Sequence, residues 1–149
     1  MPEFPDEIAL LGDMVRLQPD TIERQNGMAR FLVDLAQRHA LGNVRFVPFP
    51  EDAAYGKHNP QRSNVAIDIP CQNGSPEETV CFYGHFDVVV PSEGYTRRAN
   101  SLVQHPNNPH IWCGLGAADM FLGNEGILFA HKDITSGRHE VWARRAIRT

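Results

Sequence analysis

Two short stretches carry the side chains best suited to chemistry: GHFD at residues 84–87 and GLGAADM at residues 114–120. In an extended chain, residues two apart project from the same face. His85 and Asp87 therefore emerge side by side, while Phe86 turns to the opposite layer. An imidazole suits Zn²⁺, and a ligating histidine is commonly oriented by a carboxylate on its other ring nitrogen, a role open to Asp87. Asp119 is the second candidate. The glycines before it allow a sharp turn that could deliver its carboxylate to the same edge. With two oxygens, that carboxylate could bridge a pair of metal ions about 3.5–4 Å apart, as in two-metal hydrolases. A plainer reading stands beside this one: a hydrogen-bonded His–Asp pair at a sheet edge, with no metal. A phosphate-loop reading of GLGAAD fails because Asp119 stands where GxGxxG has its third glycine, and its charge repels a pyrophosphate.

Other chemistries find less support. His39, His58, His105, His110, His131 and His139 show no HExxH or similar ligand spacing, and Ser92 and Ser101 lie in no GxSxG context. Cys71, Cys81 and Cys113 form no CxxC pair and are odd in number, which fits reduced thiols in a reducing compartment. The acidic N-terminus MPEFPDEIALLGDM lacks the basic and apolar regions of a secretory signal, so a cytoplasmic location is expected. A net charge of −4 and a pI near 5.9 argue against nucleic-acid binding, and the basic ARRAIRT at the C-terminus reads as a solvated tail. No apolar run approaches the roughly 20 residues of a membrane span.

The elements that must position these groups follow from periodicity. EIALLGDMVRLQ places Ile8, Leu11, Val15 and Leu17 at helical spacing, and PDTIERQNGMARFLVDLAQRHA repeats the pattern with Ile22, Met28, Phe31, Leu32 and Leu35. Asp20 is expected to cap this second helix and LGN at 41–43 to stop it. Residues 44–49, 64–70 and 79–89 are rich in β-branched and aromatic residues and read as strands. The last is apolar on both faces from Val80 to Tyr83, as in a central strand covered by helices on either side. Pro91 to Pro109 reads as an extended surface loop. DMFLGNEGILFAHKDI reads as a helix with Met120, Ile127, Leu128, Ala130 and Ile134 in phase, and RHEVWA could begin another strand. The expected class is α/β, with helices packed on both faces of a mostly parallel sheet. With 149 residues the chain has room for a single domain.

Taken together, YGHFDVV, the long loop and GLGAADM resemble the zinc-dependent amidohydrolase and peptidase family of aminoacylase, acetylornithine deacetylase, succinyl-diaminopimelate desuccinylase and carboxypeptidase G. The resemblance covers about residues 5 to 135. It implies that His85 is a zinc ligand, that Asp87 is its catalytic-site partner, and that Asp119 bridges two zinc ions, with cobalt a possible substitute. It also implies hydrolysis of an amide bond in an N-acyl amino acid or small peptide, in the N-terminal part of a zinc-peptidase-like catalytic domain.

Several positions depart from the family pattern. Phe121 replaces the usual lysine, and Leu122 with Gly123 replaces a Gly-Gly pair. The family's Glu-Glu pair and its later ligands would fall beyond Thr149, and its separate lid domain has no room here. The chain is thus expected to be an inactive N-terminal fragment. Among the acids after Asp119, Glu125, Asp133 and Glu140 form no such pair and are expected to be solvated. The competing expectation is a small, non-catalytic α/β binding or interaction module.

Overall fold

The computed structural model describes residues 4–48, 63–69, 81–95 and 99–135. Helix α1 (Glu7–Leu17) begins where Asp6 accepts a hydrogen bond from the Ala9 N–H at 2.8 Å, filling one of the donor vacancies of a first turn. It ends at Gln18, which takes a left-handed conformation before Pro19. Helix α2 (Ile22–Arg38) is capped by Thr21, whose hydroxyl accepts from the Arg24 N–H at 3.3 Å. This corrects the expectation that Asp20 is the cap. Asp20 instead accepts from Arg24 Nη1 at 2.7 Å and Gln18 Nε2 at 2.9 Å, bracing the short connection between the helices.

Helix α2 closes with the Leu41 N–H donating to the Ala36 carbonyl at 2.9 Å and with Ala40 at φ 52. That is a Schellman ending, with alanine at the position glycine favours. Leu41 and Ala36 are both fully buried, supplying the apolar contact that accompanies it.

The core lies where α1, α2 and α3 (Leu122–Thr135) meet. Leu10, Leu11, Met14 and Val15 come from α1, and Met28, Leu32, Leu35 and Ala36 from α2. Phe121 and Leu128 complete the cluster from the C-terminal side. The buried face of α1 is thus set by Leu10 and Met14, whereas Ile8, expected inside, is 41% exposed.

The sheets differ from expectation. Strand β1 (Asn43–Pro48) pairs with β2 (Ser63–Asp68) in antiparallel register, Val44 opposite Ile67 and Phe46 opposite Val65. Val44, Val65 and Ile67 pack onto the core, and α2 lies against both strands. The stretch Pro91–Pro109, expected as a loop, holds instead β3 (Val103–His105) and the start of β4 (Asn108–Cys113), which pair as an antiparallel hairpin. Its turn, Pro106–Asn107, uses the very residues that suggested a loop, since both types favour tight turns.

The expected strand at 79–89 is not formed over its described residues. Residues 81–92 have no regular secondary structure and pair with no strand among the described residues. β-Branched and aromatic composition suits a pleated surface, but a strand also needs a partner for its backbone. The molecule is therefore a mixture of helices and small antiparallel sheets, and the described strands form no parallel sheet. Cys71, the RHEVWA stretch, Glu140 and the basic C-terminus lie outside the described residues, as does the side chain of Asp133.

Candidate functional site

The alternation that makes a strand amphipathic persists at residues 85–88 without a ladder. Phe86 and Val88 pack against the core, while His85 and Asp87 face outward. The segment is fixed to the helical layer by the Val88 N–H, which donates to the Pro19 carbonyl at 3.2 Å. Inward apolar residues on a tethered backbone thus hold the two polar ones at the surface.

Asp119 arrives by a different route. After β4 the chain turns at Gly116, where φ is +76, a left-handed value that glycine tolerates without steric cost. A side chain there would also collide with Val88 Cγ1 and approach the Phe121 ring, so this turn lies directly on the Val88 end of the site segment. The Phe121 N–H then donates to the Gly116 carbonyl at 3.0 Å, closing a wide turn over Ala117–Phe121. Ala117 packs on the core and Phe121 is fully buried, so the chain between them bows outward and presents Asp119 with its side chain 89% exposed. Phe121, where the resemblance expects a lysine, is the inner anchor of this bow.

All three residues singled out from the sequence converge. His85 Nε2 lies 3.1 Å from Asp119 Oδ1, and His85 Nδ1 lies 3.3 Å from both Oδ1 and the backbone carbonyl oxygen of Asp87. The ring is thus held between two carboxylates, that of Asp87 two residues along the same segment and that of Asp119, which lies 34 residues beyond His85. Each ring nitrogen faces an acceptor oxygen, and an imidazole nitrogen meets such an oxygen either with an N–H or across a shared metal ion.

The geometry admits the second choice. Zinc bonds of about 2.0–2.1 Å to nitrogen and 2.0–2.2 Å to oxygen put two tetrahedral ligands about 3.4 Å apart, so Nε2 and Oδ1 need separate by only about 0.3 Å. Asp87, on the far side of the ring, would then orient the histidine without binding the ion itself. The pair supplies two donors. Among the described residues no group of three or more His, Cys, Asp or Glu side chains is arranged to hold a metal ion. The donor types and spacing of the pair are those of two neighbouring ligands in a zinc coordination sphere.

Two other residues change the picture. Glu125, expected to be solvated, is only 3% exposed in the first turn of α3, and neither carboxylate oxygen has a hydrogen-bond partner. Burial, followed by the charges of Glu7 and Asp6, pushes its pKa up to about 7. Its burial and the reach of the Glu7 and Asp6 charges place it on the side of α3 that faces the start of α1. The readable signal was its spacing: four residues after Phe121 and three before Leu128, both buried, it shares their helix face. Asn124, unremarked in the sequence, donates from Nδ2 to the His85 carbonyl at 2.7 Å.

The chain matches no known family profile, no curated protein and no solved structure. Among the described residues, no helix is long and apolar enough to cross a membrane.

Proposed function

We propose that His85, Asp87 and Asp119 are the first contributors to a zinc site that hydrolyses the amide bond of an N-acyl amino acid or small peptide. The observation that carries this reading is the placement of the imidazole between two carboxylates, one suited to orient it and one suited to share a metal ion with it. A bound zinc ion would supply Lewis-acid polarisation of the amide carbonyl and activation of a water molecule. His85 would offer its Nε2 lone pair and Asp119 a carboxylate oxygen, while Asp87 holds the Nδ1 proton and so fixes the tautomer. In the wider reading these residues sit at the edge of a mostly parallel sheet, although residues 81–92 have no regular secondary structure and the described strands are antiparallel.

Amide hydrolysis also needs a general base and acid to move a proton to the leaving amine. Glu125 does not serve, because its carboxyl is buried on the side of α3 that faces the start of α1. Among the described residues no group of three ligands is arranged to hold a metal ion, and no residue is placed as the base. General acid–base groups typically contribute about 10²–10⁴-fold.

The test is equilibrium dialysis of the chain against Zn²⁺, with H85A and D119A as comparisons, alongside an assay of N-acetyl amino acid hydrolysis. Zinc retention that depends on both residues, with little hydrolysis, is the expected result. Zinc content unchanged by H85A would sink the metal reading and favour a non-catalytic binding module. That second reading draws on Phe82, Tyr83, Val89 and Val90, which flank the site and are 64–88% exposed.

A further inference from the structure

The two halves of the site come from separate parts of the chain, and one side chain outside the proposed ligands joins them. Asn124 lies five residues beyond Asp119 in the first turn of α3, and its Nδ2 donates to the backbone carbonyl of His85 at 2.7 Å. The residue before His85 is Gly84, and a second observation concerns it. A Cβ at position 84 would collide with Asn124 Oδ1 and lie 2.6 Å from the Met120 methyl group. Asn124 and Met120 thus occupy the space a side chain at position 84 would fill, and the amide lies against the Gly84–His85 backbone. The stretch that carries Asp119 therefore also grips the stretch that carries His85.

We propose that Asn124 is a positioning residue that sets the His85 ring against Asp119, with Gly84 required to admit it. The metal-binding consequence rests on the zinc reading above, whereas the geometric consequence does not. The Val88 N–H bond to Pro19 tethers the far end of this segment, whereas the Asn124 donor fixes the His85 carbonyl itself. Groups that orient metal ligands typically alter affinity about 10–100-fold when removed.

The experiment uses the full chain and compares wild type with N124L, which fills a similar volume without a donor, and N124A, which adds no apolar bulk should N124L fail to fold. In metal-free protein, nuclear Overhauser contacts between the His85 ring protons and the Asp119 methylene are expected in wild type and lost in both variants. One Asn124 side-chain amide proton should exchange slowly in wild type and lose that protection in G84A. With Zn²⁺ titrated against a competing chelator, both Asn124 variants should bind about 10–100-fold more weakly. Retention of the ring-to-methylene contacts in N124L or N124A would overturn the proposal and leave Asn124 a packing residue. If wild type shows no His85-dependent zinc binding, the metal reading fails, and the metal-free contacts alone decide the role of Asn124.

Discussion

Replacing Glu125 by glutamine should stabilise the protein above neutral pH and leave it nearly unchanged in acid. Glu125 sits in the first turn of α3, where the helix dipole favours a negative charge by about 0.3–1 kcal/mol. Desolvation outweighs this and, aided by Glu7 and Asp6, raises the pKa from 4.5 to about 7. Below pH 4.5 the carboxyl is protonated in both folded and unfolded chains, and the contribution of its raised pKa is fully present. As pH rises from 4.5 to 7, the unfolded chain releases the proton while the folded chain keeps it, so stability falls. Above 7 the loss is complete and constant. A displacement of about 2.5 pH units at 1.36 kcal/mol each amounts to about 3 kcal/mol.

Glutamine has nearly the same shape and no charge to lose, so E125Q should gain that amount at pH 8 and almost nothing at pH 4. For a chain of this length, about 3 kcal/mol corresponds to roughly 6–12 °C in melting temperature. Urea unfolding of both proteins from pH 4 to pH 8, followed by far-ultraviolet circular dichroism, reads the difference directly. A difference that stays flat with pH, or a wild type more stable than E125Q at pH 8, would refute the assignment of a buried, uncompensated carboxyl.

Two further expectations concern packing and turns. Ala40 ends α2 with φ 52, so A40G should gain about 0.5–1 kcal/mol in urea unfolding, the relief of the left-handed conformation exceeding the extra entropy of the unfolded chain. Phe121 is fully buried beneath the Asp119 bow, so F121A should cost about 3–5 kcal/mol by the same measurement, and it should weaken zinc retention more than A40G does.

The helices were legible because their signal is local: a 3.6-residue apolar rhythm that needs no distant partner to be seen. The one-residue error at the second cap arose because Asp20 and Thr21 are both good cap types, and only backbone geometry decides which is used. The proximity of His85 and Asp87 was legible because their spacing brings them together whether or not a ladder forms, and that of Asp119 because glycines precede it at a turn. What the sequence left hidden is relational. The hairpin at 103–113 was obscured by its own turn residues, and residues 81–90 carry strand composition without a described partner. Asn124 acts through a backbone carbonyl 39 positions away, for which no local pattern exists.

The site and the core are coupled at the level of single alternating residues. His85 and Asp87 face outward because Phe86 and Val88 face inward, and Asp119 bows outward because Ala117 and Phe121 do not. Gly116 brings these two inward sets into contact by letting its backbone lie on Val88 and Phe121, and Gly84 does the same on the outer side beneath Asn124 and Met120. The 3.1 Å approach of His85 to Asp119 is thus bounded from below by apolar packing and from above by a directed hydrogen bond. Dense packing transmits small displacements instead of absorbing them. Substitutions at Val88 or Phe121, which carry no chemistry, should therefore move the ring and the carboxylate apart, whereas changes on the exposed faces of α1 or α2 should leave that distance alone.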